Sequence, residues 1–122
     1  MIQYKEIAFV AYPVTDTLRA RKFYEDILGL QPNKPLDAPD QQWIEYDIGG
    51  GTLGIGRSAN WPPSKDGASA ALEVVDFDAA LEQLKKHKIE FLIGPLDLPS
   101  CQMVTVRDPD GNKITLHRRK QH

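Results

Sequence analysis

Five side chains of this 122-residue chain stand out as able to do chemistry: Glu45, Glu73, Cys101, Met103 and His117. A partly buried carboxylate has a raised pKa and can pass protons near neutrality, the work open to Glu45 and Glu73. The plainer reading of each is a rim residue satisfied by solvent or an arginine. Cys101, Met103 and His117 read as parts of a closing hairpin. If Arg107 pairs with Lys113, Met103 falls opposite His117, with Cys101 diagonal to it on the same face, about 7–8 Å away. That grouping gives an activated thiol, a soft-metal site or simply pocket wall, and a lone cysteine is more often a small buried hydrophobe.

The elements that must position these residues follow from periodicity and punctuation. Residues 4–14 form an apolar, β-rich run, after which Asp16 offers a helix N-cap. Over residues 17–28, Phe23, Tyr24, Ile27 and Leu28 share one face, and Gly29 stops the helix in a left-handed cap. Alternating segments follow at Trp43 to Ile48 and Thr52 to Ile55, joined by Gly49-Gly50-Gly51. A strand over 68–75, the cap Asp76 and a helix striped by Phe77, Ala80, Leu81 and Leu84 come next. Strands 103–107 and 113–118 then flank Asp108-Pro109-Asp110-Gly111-Asn112, a type I turn with a bulge at Gly111. His87 ends the second helix among lysines, where positive charge suits the dipole, and Arg118 to His122 read as a frayed tail.

The two halves are copies. Displaced by 60 residues, the sequence matches itself at 12 of 62 positions, among them Val14/Val74, Asp16/Asp76, Pro35/Pro95, Leu36/Leu96, Asp37/Asp97 and Gly51/Gly111. Chance gives about four. The shared Pro-Leu-Asp reads as a turn in both copies, and the connector around Trp61 as a turn-rich link that lids a pocket or enters a subunit contact. One such unit covers a single sheet face with its helix, so two units must combine to close a core.

Composition narrows the function. Net charge is -2, which offers no electrostatic grip on nucleic acid or a membrane. The single cysteine excludes an internal disulfide and a cysteine-rich zinc module. With no secretory leader or long apolar run in view, the cytoplasm is the expected compartment.

Val14-Thr15-Asp16 leading into Phe23-Tyr24-Glu25-Asp26-Ile27-Leu28-Gly29-Leu30, the repeat at Val74-Val75-Asp76 and the closing Asp108-Pro109-Asp110-Gly111-Asn112 resemble the vicinal oxygen chelate superfamily. Its members include glyoxalase I, fosfomycin-resistance enzymes, extradiol dioxygenases and bleomycin-binding proteins. The resemblance implies an α+β fold: two tandem βαβββ modules forming a cup-shaped mixed sheet, one domain over 1–122 with modules 1–60 and 61–122. It also implies a homodimer and one divalent metal per cup. Carried over position by position, the metal-ligand slots fall on Phe9, Ser69, Gly54 (or Ile55 if the register slips) and Thr115. None supplies an imidazole or carboxylate, the donors such metals need.

Period-2 alternation then gives the residues lining the cup. Phe9 faces inward on the first strand, Ser69 and Glu73 on its repeat, and Trp43 and Glu45 on the next strand. Cys101, Met103, Thr115 and His117 complete the lining. An aromatic, sparsely polar cup of this kind suits a small molecule. The expectation is a glyoxalase/bleomycin-resistance-like small-molecule binder with no cofactor, whose ligand is neutral or aromatic rather than a large cation. The alternative is a divalent-metal-dependent lyase/isomerase or dioxygenase with its ligands displaced to Glu45, Glu73 and His117. A metal-free enzyme with Glu73 or His117 as general base is a third reading.

Overall fold

The computed structural model describes residues 1–120. Strand β1 (Val10–Pro13) leads into α1 (Thr17–Arg21), which widens into a π-helical turn over Lys22–Ile27. The hairpin β2 (Trp43–Ile48) and β3 (Gly51–Gly56) completes the first half. The second half runs β4 (Ala70–Glu73), α2 (Phe77–Lys86), β5 (Ile93–Asp97), β6 (Cys101–Arg107) and β7 (Lys113–Arg119). Two sheets result, ordered β1-β3-β2 and β4-β7-β6-β5, with β1 parallel to β3 and β4 parallel to β7.

Both helices start as their caps dictate. Asp16 accepts the Arg19 N–H at 3.1 Å and Asp76 accepts the Ala79 N–H at 3.0 Å. Gly29 closes the first helix at φ 77°, in the left-handed region that its missing Cβ makes cheap. Side chains then sort by parity. Tyr12, Ile44, Tyr46, Leu53 and Ile55 of the first sheet are buried with Phe23 and Tyr24. Val104, Val106, Ile114 and Leu116 join Phe77 and Leu84 in the same core. The hairpin register pairs Arg107 with Lys113 and Met103 with His117, which puts Cys101 diagonal to the imidazole as the alternation requires.

Four expectations are corrected. The first strand starts at Val10 rather than residue 4; in the parallel Val10–Leu53 register residues 4–7 have no β3 residue opposite them, since β3 starts at Gly51. After its helix, the first half has two full strands rather than three; the missing one is reduced to the bridge between Pro32 and Tyr46. Pro95-Leu96-Asp97 lies in strand β5, not in a turn, and the irregularity shows as a register shift between Ile93 and Leu96. The tail is also more ordered than expected: β7 reaches Arg119, and the Lys120 N–H donates to the Ser100 carbonyl at 2.9 Å. Gln121 and His122 lie outside the described residues.

Polar contacts join the halves where the sheets do not. The Tyr12 hydroxyl donates to the Lys113 carbonyl and accepts the Ala70 N–H, both at 2.7 Å, so β1 reaches into the start of the β4–β7 pair. Tyr24 donates to Asp108 at 2.8 Å and Asn112 Nδ2 donates to the Pro13 carbonyl at 2.8 Å. Asp110 accepts from Thr15 and Arg19. The closing turn, with Gly111 at φ 88°, is therefore a latch on the first helix as well as a hairpin.

Burial raises the Tyr12, Tyr24 and Tyr46 phenols above the ordinary tyrosine range; Tyr24 is raised further by the Asp108 charge and Tyr46 by its bond to Glu25. A folded value above the unfolded one means stabilisation is complete below the unfolded value, near pH 10, and is lost as pH rises toward the folded values. In an absorbance titration at alkaline pH, three of the four tyrosines are expected to ionise only as the fold is lost. Ionisation of all four while the circular dichroism stays native would contradict this.

Candidate functional site

The sheet faces turned away from the helices hold every candidate residue, in two groups. On the first sheet, Trp43 pairs across the strands with Gly56, and Glu45 with Gly54. The indole lies across both glycines: a Cβ at Gly54 would come within 2.6 Å of two indole carbons, and one at Gly56 within 2.6 Å of a third. Two glycines, spaced two apart on β3, thus clear a flat bed for one tryptophan. Phe9 meets the indole edge-on, with ring centroids 5.4 Å apart. The indole N–H donates to Glu45 Oε2 at 2.7 Å, fixing the ring, and Asn33 Nδ2 holds the other oxygen at 3.4 Å. Trp43 remains 36 % exposed, so its bed covers one ring face and leaves surface for a ligand.

The second sheet is polar instead. Ser69 Oγ lies 2.9 Å from Thr115 Oγ1, which lies 2.7 Å from Thr105 Oγ1, a row of three hydroxyls that bond one another. Glu73 and His117, direct partners across β4 and β7, meet at 2.6 Å. Glu73 also accepts the Arg119 N–H at 2.6 Å, and this bond with the imidazole beside it holds its carboxyl below the usual range. Met103 faces His117 across the hairpin, and Cys101 is a free, buried cysteine.

Among the described residues, no hydrogen bond or aromatic contact joins the two groups. A cleft of about 520 Å³ opens between β1, the Gly49–Gly51 turn and β4, and it takes in Glu73. A second, of about 410 Å³, lies between β1, Trp61 and the start of β4, and it takes in Ser69. Trp61 stands close to the bed, 3.3 Å from a Cβ built on Gly56. His87 caps the exposed end of α2. Gly54, which in the sequence shows only the lack of a metal donor, is the position over which the Trp43 indole lies. The signal was present as Gly-x-Gly opposite an aromatic in a glycine-linked hairpin.

Residues 6–116 match the sequence profile of the Glyoxalase/Bleomycin resistance protein/Dioxygenase superfamily, and the chain belongs to that family. Its fold matches TnmS3, an antibiotic-binding protein from Streptomyces sp. CB03234, at 22% identity and TM-score 0.78, over 98% of this chain and 100% of that one. A glyoxalase-family protein from Bacillus anthracis matches at 27% identity and TM-score 0.78, over 98% and 100%. A glyoxalase/dioxygenase from Nostoc punctiforme matches at 22% identity and TM-score 0.77, over 96% and 92%. No curated protein matches the sequence significantly. Among the described residues, no helix is long and apolar enough to cross a membrane.

Proposed function

We propose that this chain binds a small, planar aromatic molecule by stacking it on the Trp43 indole, and that it does so without the metal of its relatives. The observation carrying this reading is the bed itself. The Gly54 slot is filled by an indole that could not lie there over any larger residue, and the Phe9 slot contributes a second ring. The remaining slots, Ser69 and Thr115, hold hydroxyls that satisfy each other. Transition ions need nitrogen, thiolate or carboxylate donors, so the family's metal does not fit these four positions. For the displaced set, among the described residues no three side chains of His, Cys, Asp or Glu are grouped to hold an ion.

Support for a ligand-binding role comes from the antibiotic-binding relative, and a planar aromatic ligand suits an indole anchored by Glu45. The net charge of -2 favours a neutral ligand over a large cation. Tryptophan emission tests this directly: a panel of planar aromatic compounds should include members that quench Trp43 saturably in a Trp61→Phe background. A panel without one such member would count against the reading.

We also propose that the protein pairs with a second copy of itself. Strand β5 is exposed along its whole length, with Ile93 and Leu96 open to solvent, and such an edge is normally covered. Ile2, Tyr4 and Ile7 add exposed apolar surface ahead of β1. Light scattering should return twice the 13.7 kDa chain mass; the single-chain mass at micromolar concentration would refute pairing. A cytoplasmic location agrees with the lone, unpaired Cys101.

A further inference from the structure

The second sheet carries an arrangement for which the aromatic bed has no use. Glu73 Oε1 lies 2.6 Å from His117 Nδ1, and Oε2 accepts the Arg119 backbone N–H. Both carboxylate oxygens are committed, and the strand register that pairs Glu73 with His117 fixes the contact. A carboxylate at Nδ1 keeps the ring proton on that nitrogen, which leaves Nε2 as the lone-pair acceptor. Among the described residues, the hydrogen bond recorded for this ring is the one through Nδ1. The His117 side chain is 23% exposed, enough for contact and too little for free rotation in water.

The surroundings favour a small molecule over bulk water. Met103 stands opposite the imidazole and offers an apolar wall. Thr115, two residues back on the same face of β7, belongs to the hydroxyl row with Ser69 and Thr105. Same-face neighbours on a strand are about 6.5–7 Å apart, roughly the span of one substituted ring.

We propose that His117, oriented by Glu73, is a proton-accepting site for a small molecule bearing an acidic O–H, a phenol or an enol. The proton passes from the ligand oxygen to Nε2, and the electron pair of the broken O–H bond stays on that oxygen. The imidazolium formed is paired with the Glu73 carboxylate, so no cofactor or co-reactant is required. His117 touches the ligand; Glu73 acts through it as a positioning residue. The Trp43 bed takes no part, so the failure of one site leaves the other standing.

Diethyl pyrocarbonate, which acylates neutral imidazole nitrogen, tests the arrangement when labelling is mapped by mass spectrometry. His117, whose ring Glu73 holds through Nδ1 with Nε2 as the lone-pair nitrogen, should label severalfold faster than the exposed His87. Glu73→Gln should remove that advantage with the circular dichroism unchanged, and Glu73→Asp should restore part of it. 4-Nitrophenol should protect His117 but not His87, and its visible anion band should grow on binding. His117→Gln, which leaves the Glu73–Arg119 bond in place, should abolish that growth. Labelling no faster than His87, a rate indifferent to Glu73→Gln, or no protection by 4-nitrophenol would overturn the proposal.

Discussion

Asp108→Ala is expected to destabilise the protein by about 3–5 kcal/mol, the cost of removing one member of a buried, charge-assisted network. The carboxylate accepts four hydrogen bonds at 2.8–2.9 Å: from Tyr24 and Asn112 Nδ2 on one oxygen, and from the Asp110 and Asn112 N–H groups on the other. Asp108, Asn112 and Tyr24 are 5%, 3% and 0% exposed, so water cannot replace the lost acceptor. Burial pushes the Asp108 carboxyl up while these four donors oppose it, a sign that the donors are needed to keep the charge there. Because small domains have only about 5–15 kcal/mol in hand, the variant should be largely unfolded under mild denaturant. Asp108→Asn, which keeps one acceptor oxygen, should lose less. Urea unfolding gives both values; a loss below about 1 kcal/mol for the alanine variant would contradict the latch.

Gly54→Ala has the opposite profile, with little effect on folding and a large one on binding. The added Cβ would sit 2.6 Å from two indole carbons, closer than van der Waals contact allows, so the ring must leave its bed. Trp43 is at the surface and can swing outward, which keeps the stability change small. The bond from the indole N–H to Glu45 and the edge contact with Phe9 would go with it. Loss of an anchoring aromatic typically removes about 2 kcal/mol of binding energy, or about thirtyfold in affinity. In the Trp61→Phe background, the emission should shift to the red and the quenching titration should weaken by that factor. An unchanged emission maximum, or unchanged affinity, would remove the bed from the binding reaction.

Much of the framework was legible because it rests on local rules. The caps at Asp16 and Asp76, the left-handed Gly29 and the turn before Gly111 each announce themselves in a few residues. Alternation assigned Trp43, Glu45, Thr115 and His117 to the face away from the helices, since a one-residue slip would have buried the wrong set. What stayed hidden depends on contacts distant in sequence. Asp108 read as a turn residue, yet its partner Tyr24 lies 84 positions earlier. Gly54 reads only as a slot without a metal donor, because the tryptophan that lies over it sits on another strand. The shortened first strand and the bridge at Pro32 depend on where β3 begins and on what Tyr46 can pair with, and repeat matching carries no information on either.

Metal content is the most direct test of the binding proposal. Protein stripped with a mild chelator, exposed in turn to zinc, nickel, manganese and ferrous iron, and then gel-filtered should retain far less than one ion per chain. It should still bind its aromatic ligand through Trp43. One tightly held ion per chain, lost when Ser69 and Thr115 are replaced by alanine, would contradict a metal-free binder.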